Sequence, residues 1–330
     1  MADSPTAEEL PTTPFSKFVR FFGWSVLTVM AVFLVNNFLT HGAGMPGAAA
    51  PLEGETGFGG LIQFILYPLA VVAALVFVMR SASTSLRADG RRIAGINTFV
   101  IRAAFWCVLI VGVGDAIVSF MRIEGLLEIY FGEELEGQLG RSQFRGMYFH
   151  MPLMALGIVI ACFTRTLGFP WLALLIVIAE LGIVFLRFIF SYEQAFMADL
   201  VRFWYGALFL FASAYTLQEE GHVRVDVFYA AFTNKTKAVV NAVGTLLMGL
   251  VFCWTILIVG MGQKTSIINS PVFNFEVTQA GFGMYVKYMM AGFLGIFAVS
   301  MMIQFVSYLM EAIADYRGEP GHIDHEPVVQ

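Results

Sequence analysis

The chain has 330 residues, of which 58% are apolar and only 13% charged, with a formal net charge of −5 at pH 7. Its mean hydropathy of +0.76 excludes a soluble globular protein, because a chain so short of polar groups cannot cover itself with hydrated surface and must take lipid as its solvent. The modest negative charge, held mostly in loops and tails, offers nucleic acid no basic footprint.

Met1–Leu10 is polar and acidic, and the apolar run behind Lys17 and Arg20 is too long for the core of a cleavable leader. That first run therefore reads as an anchor that stays in the membrane. A bilayer core takes about 20 apolar residues per helix, and about eight runs reach that length. In chain order they are Phe21–Leu39, Leu61–Val78, Phe99–Phe120, Met147–Phe163, Trp171–Phe190, Val201–Leu217, Ala238–Met261 and Tyr285–Met310. The predicted fold class is all-α, a polytopic helical membrane protein. The fourth run is the weakest, with Pro152 near its start and Pro170 beyond its end. Ahead of it, Arg122–Arg145 is acidic but carries Leu126, Leu127, Ile129, Tyr130, Leu135 and Leu139. That pattern predicts an amphipathic helix on the outer face or one dipping partly into lipid. After the sixth run, Phe228–Phe232 predicts a brief interfacial helix with Asp226 available as its N-cap.

Basic residues set the orientation. Lys17 and Arg20 precede the first run; Arg80, Arg87, Arg91, Arg92 and Arg102 crowd the loop before the third; Arg165 follows the fourth; Arg224, Lys235 and Lys237 follow the sixth. His41–Gly60 holds no Lys or Arg. An even number of spans puts all the basic loops on one side, so both termini are expected in the cytoplasm. Arg122, Arg141, Arg145 and Lys264 fall on the outer side, among acids. Trp24, Trp171, Trp204 and Tyr205 stand near span ends, where aromatic rings anchor at headgroup level. The cysteines, Cys107, Cys162 and Cys253, lie in apolar runs and read as small packing residues. His41, His150, His222, His322 and His325 show no ligand spacing.

Asp115 and Glu180 interrupt apolar runs. A carboxylate at that depth must be paired, protonated or faced with water, so each is a candidate site. A proton relay needs a chain of titratable groups, and here they look isolated, which favours carboxyls that hold helices together. Glu180 and Arg187 share a helix face about two turns apart, too far for a direct bridge. No nucleophile elbow, phosphate loop or dinucleotide fingerprint occurs, so no catalytic residue is named and the chain is not expected to be an enzyme.

The most specific stretch runs from Ser191 to Tyr229: an aromatic-rich apolar helix, a polar elbow at Gln218–Gly221, and the pentad His222–Val223–Arg224–Val225–Asp226. With Arg187 and its following aromatics ahead of a short loop, Asp199 opening the next helix, and Trp204, Gly206, Ala207, Ala212 and Ala214 behind it, this stretch resembles the DctQ-type small membrane subunit of tripartite ATP-independent periplasmic (TRAP) transporters. The resemblance covers residues 169–330. Residues 1–168, with about four further spans, have no counterpart in the usual subunit.

The resemblance implies a non-catalytic brace around a large membrane subunit. That partner holds the substrate and Na⁺ sites, and a periplasmic substrate-binding protein captures an organic acid. This subunit itself needs no cofactor. The implied location is the bacterial inner membrane, in contact with lipids. Arg187, Asp199, Trp204, Gly206, Ala207, Ala212, Ala214, His222, Arg224 and Asp226 become candidate interface or structural residues. Small residues on the sixth span pack against either the partner or this chain's own helices. The extra spans widen the contact with the large subunit, hold lipid, or meet the binding protein through Arg122–Arg145. The competing reading is a self-sufficient transporter or channel lined by Asp115 and Glu180. A haem-bearing redox subunit is disfavoured, because only His150 lies near a span.

Overall fold

The computed structural model describes residues 12–54, 57–166, 168–193, 195–218, 229–277 and 283–321. Among them are eight helices long and apolar enough to cross a bilayer: α1 (Pro14–Gly42), α2 (Phe58–Arg80), α3 (Leu86–Ile123), α4 (Ser142–Phe163), α5 (Phe169–Phe190), α6 (Phe196–Leu217), α7 (Asn234–Met261) and α8 (Lys287–Arg317).

Local chemistry sets the ends. Thr13 and Ser16 exchange capping hydrogen bonds and Pro14 opens the first turn of α1, satisfying amides that an apolar helix cannot leave bare. Thr233 caps α7 by accepting from the Thr236 amide. Gly168 takes φ +75° just before Pro170 in the first turn of α5. A Cβ there would overlap the Phe105 ring, so only glycine serves. Pro152 does not break α4, because it stands in the first turn of the α-helical stretch that follows a π turn at Arg145–His150.

Several loop assignments need correction. Helix α3 starts at Leu86, so Arg87, Arg91, Arg92 and Arg102 are helical rather than in a loop. Arg20 likewise lies within α1 and is fully buried. Hydropathy marks only the lipid-depth part of a helix, and these helices continue past it. The segment 122–145 forms short helices at Leu126–Phe131 and Glu133–Leu139. Leu127 and Leu139 are buried there with Val118, against Met121, Leu135, Phe144 and Phe149. Beyond the sixth span the described residues show a single 3₁₀ turn, Tyr229–Ala231.

The chain divides into two compact units. One comprises Met1–Asn97, Thr216–Thr255 and Met301–Gln330; the other comprises Thr98–Tyr215 and Ile256–Ser300. In the first, Arg20 Nε donates to Asp89 at 2.7 Å with both side chains fully buried. The Arg20 guanidinium also donates to the Ser81 carbonyl and hydroxyl, and the Trp24 indole donates to Asp89. Trp24 thus spends its N–H on a buried carboxylate rather than at the headgroups. Arg87 Nη2 donates to Asp315 at 2.6 Å, Asn97 to Gln304 at 3.1 Å, and Ser307 to the Gly90 carbonyl at 2.8 Å. Buried Gln63 accepts from the Gly47 amide and donates to Thr40.

In the second unit, close backbone approach does much of the packing. A Cβ on Gly157 would stand 2.8 Å from the Cys107 backbone nitrogen. Gly157→Leu is therefore expected to cost about 1–3 kcal/mol by overpacking. Gly95, in the first unit, is exposed, and the methyl of an alanine there would meet nothing within 4 Å. Gly95→Ala should therefore raise stability by about 0.5–1 kcal/mol through helix propensity. Thermal unfolding of both variants in detergent checks the opposed signs.

Candidate functional site

The densest polar cluster lies in the second unit, around Asp115 of α3. Asp115, Arg145 and His150 are all fully buried. Arg145 Nε pairs with Asp115 Oδ1 at 2.5 Å, and His150 Nε2 meets the same oxygen at 2.7 Å. The Tyr285 amide donates to Asp115 Oδ2 at 2.9 Å. Arg145 Nη2 also donates to the Asp115 carbonyl at 2.8 Å and the Ser119 hydroxyl at 2.7 Å. The Arg145 guanidinium sits 4.7 Å from the Tyr285 ring centroid, a desolvated cation–π contact. Tyr285 Oη donates to the Gly140 carbonyl and accepts from Arg122.

The π turn at Arg145–His150 explains how one helix delivers both cation and imidazole. Five residues of α-helix rotate a side chain by about 500°, leaving it well off the starting face. A turn widened to i→i+5 bonding brings positions five apart nearly into line. His150 Nδ1 then reaches the Tyr288 hydroxyl at 2.9 Å. The His150 ring thus bridges the Asp115 carboxylate through Nε2 and the Tyr288 hydroxyl through Nδ1. One carboxylate and one guanidinium balance in charge, and fixed donors fill the remaining lone pairs. Such an arrangement pins helices together.

Asp115 is therefore not isolated, contrary to the sequence expectation, and Arg145 is no outer-loop cation. Tyr285 and Tyr288 escape sequence reading altogether. The contribution of Tyr285 comes chiefly through its backbone N–H, and Tyr288 has the sequence pattern of another interfacial aromatic.

The other candidates lie in different settings. Asp199 opens α6, accepts from the Met284 amide at 3.1 Å and stands 3.7 Å from Arg202. It borders an open groove of about 540 Å³ shared with Arg202, Ile267, Pro271 and Lys287. Trp204 is 4% exposed, so it is a packing residue rather than a headgroup anchor. Its indole lies where a Cβ on Gly112 would fall. Glycine at 112 makes room for the ring. Ala207 and Ala214 are fully buried, on the α6 side where Phe203 meets Phe293 of α8 at a tilt and Phe211 meets it edge-on. Gly206 and Ala212 are half-buried at its flanks. Cys107 donates to the Met154 carbonyl. Glu180 and Arg187 on α5 are exposed. The pentad residues His222, Arg224 and Asp226, and with them the expected cap, lie outside the described residues.

Residues 173–315 match the family model for the DctQ component of tripartite ATP-independent periplasmic transporters. Helices α1–α4 precede the matched stretch. No curated protein and no solved structure matches the chain.

Removing the carboxylate from Asp115 strands a buried guanidinium. Asp115→Leu is expected to destabilise the chain by about 3–5 kcal/mol, whereas Asp115→Leu with Arg145→Met recovers most of that loss. Thermal or denaturant unfolding of the single and double variants measures the coupling.

Proposed function

We propose that this chain, which carries a DctQ-component domain over residues 173–315, is the small membrane subunit of a TRAP transporter and acts as a non-catalytic brace for the large permease subunit. In this reading the protein lies in the bacterial inner membrane with both termini in the cytoplasm. The large subunit carries the substrate and Na⁺ sites, and a periplasmic binding protein delivers an organic acid. The four helices ahead of the matched stretch enlarge the brace, and the groove beside Asp199 belongs to its surface.

The observation that carries the reading, beside the family match, is how Asp115 is spent. A coupling-ion site needs intramembrane carboxylates open to water or to an ion, in helices broken at the midplane. Here Asp115 is fully buried and occupied by Arg145, His150 and the Tyr285 amide. Its helix runs unbroken from Leu86 to Ile123. A static scaffold uses a carboxylate in this way, as a pin between helices. The same facts weigh against the self-sufficient transporter, because Glu180 faces outward from a different helix.

Reconstitution separates the two. Proteoliposomes with this chain alone are expected to take up no organic acid under a Na⁺ gradient, and addition of the large subunit and the binding protein should start uptake. Uptake by the chain alone would overturn the brace.

A further inference from the structure

We propose that the outward face of α5 around Glu180 is the seat of a transmembrane helix of the large subunit, and that this helix carries a basic side chain at midplane depth. The inference rests on the small-subunit reading and adds the face and the chemistry of the contact.

Only 11% of the apolar window of α5 is buried within the chain, against 56% for α3 and for α8. Its uncovered side shows Val177, Leu181, Val184 and Phe188, from 47% to 79% exposed. Lipid alone would satisfy those residues. It does not satisfy Glu180, which is exposed beside them.

Glu180 is the twelfth residue of the 22-residue helix Phe169–Phe190, so it stands about 16 Å along a rod of about 33 Å. That is the centre of a hydrocarbon core about 30 Å thick. Glutamate is too short to reach the headgroups from there, unlike Arg187, which lies close to the helix end and can snorkel. Among the described residues, no cation or hydrogen-bond donor reaches the Glu180 carboxylate. Asp115 shows how this chain treats a carboxylate meant for its own use: it surrounds it with donors. Glu180 is left open for a group supplied from outside.

Lipid tails offer no such group. A second copy is a poor fit as well. Copies inserted in the same orientation about a two-fold axis along the membrane normal bring equal depths together, which sets Glu180 against Glu180. Charge complementarity calls for a different polypeptide with a cation at that depth. A TRAP small subunit has one such multispan partner.

The test uses the tagged chain co-expressed with the large subunit and the binding protein. Glu180→Lys is expected to cut the co-purified large subunit by about tenfold or more, and Glu180→Gln by less, because an amide keeps part of the hydrogen bonding. Neither change should shift thermal unfolding of the isolated chain, since Glu180 has no partner there among the described residues. A photo-crosslinking amino acid in place of Leu181 should trap the large subunit. If the wild-type chain brings down the large subunit and Glu180→Lys brings down as much, this inference falls and the small-subunit reading stands. Crosslinks only to a second copy, or only to lipid, overturn it in the same way. If the wild-type chain brings down no large subunit, the small-subunit reading falls and takes this inference with it.

Discussion

Everything else in the fold is arranged around the need to satisfy polar groups at a depth where water cannot do so. Apolar contacts discriminate poorly between helix registers in lipid, because a leucine gains little by exchanging a lipid tail for another leucine. Polar pins discriminate strongly. Asp115 is fully satisfied only when the π turn of α4 presents Arg145 and His150 together and the Tyr285 amide approaches from the segment leading into α8. A slip of one residue in any of these elements leaves a buried charge without its partner, at a cost of several kcal/mol. The cluster thus fixes rotation and depth where packing alone would leave both loose.

The pins also decide what the first half of the chain is to the second. Residues ahead of the family-matched stretch bond directly into it: Arg87 to Asp315, Gly90 to Ser307, Asn97 to Gln304, and Asp115 to the Tyr285 amide. These contacts are made in each compact unit separately. Helices joined only by a tether would not share these polar bonds. Within each unit, added and matched helices are therefore packed together, and α3 and α8, the two most covered helices, hold most of the polar bonds.

Much of this architecture is legible in the sequence, and the illegible part has a physical cause. Apolar length finds the spans, since lipid thickness dictates it. Asp115 and Glu180 stand out because a charge in an apolar run is costly. The partners of Asp115 do not stand out. Arg145 lies in a stretch that reads as an outer loop, His150 is a lone histidine at a span edge, and the help from Tyr285 is a backbone amide that no side-chain pattern announces. Arg20 and Arg87 look like headgroup cations for the same reason: Asp89 and Asp315, which bury them, are far away in sequence. The headgroup reading of Trp204 fails because an indole near a span end suits either a membrane interface or a glycine notch, and only the position of Gly112 decides between them.

The two intramembrane carboxylates have the same pattern in sequence and opposite fates in the structure. A chain built to carry an ion would leave its carboxylates where water or an ion can reach them and would break helices to bring backbone carbonyls to the site. This chain closes one carboxylate with its own donors and turns the other outward on the helix it covers least. A carboxylate satisfied inside and one left unsatisfied outside fit the proposed role of a part placed by contact with another subunit. In the proposed assembly, the inner cluster would hold the outward face in place before contact, so less ordering entropy would be lost when the contact forms.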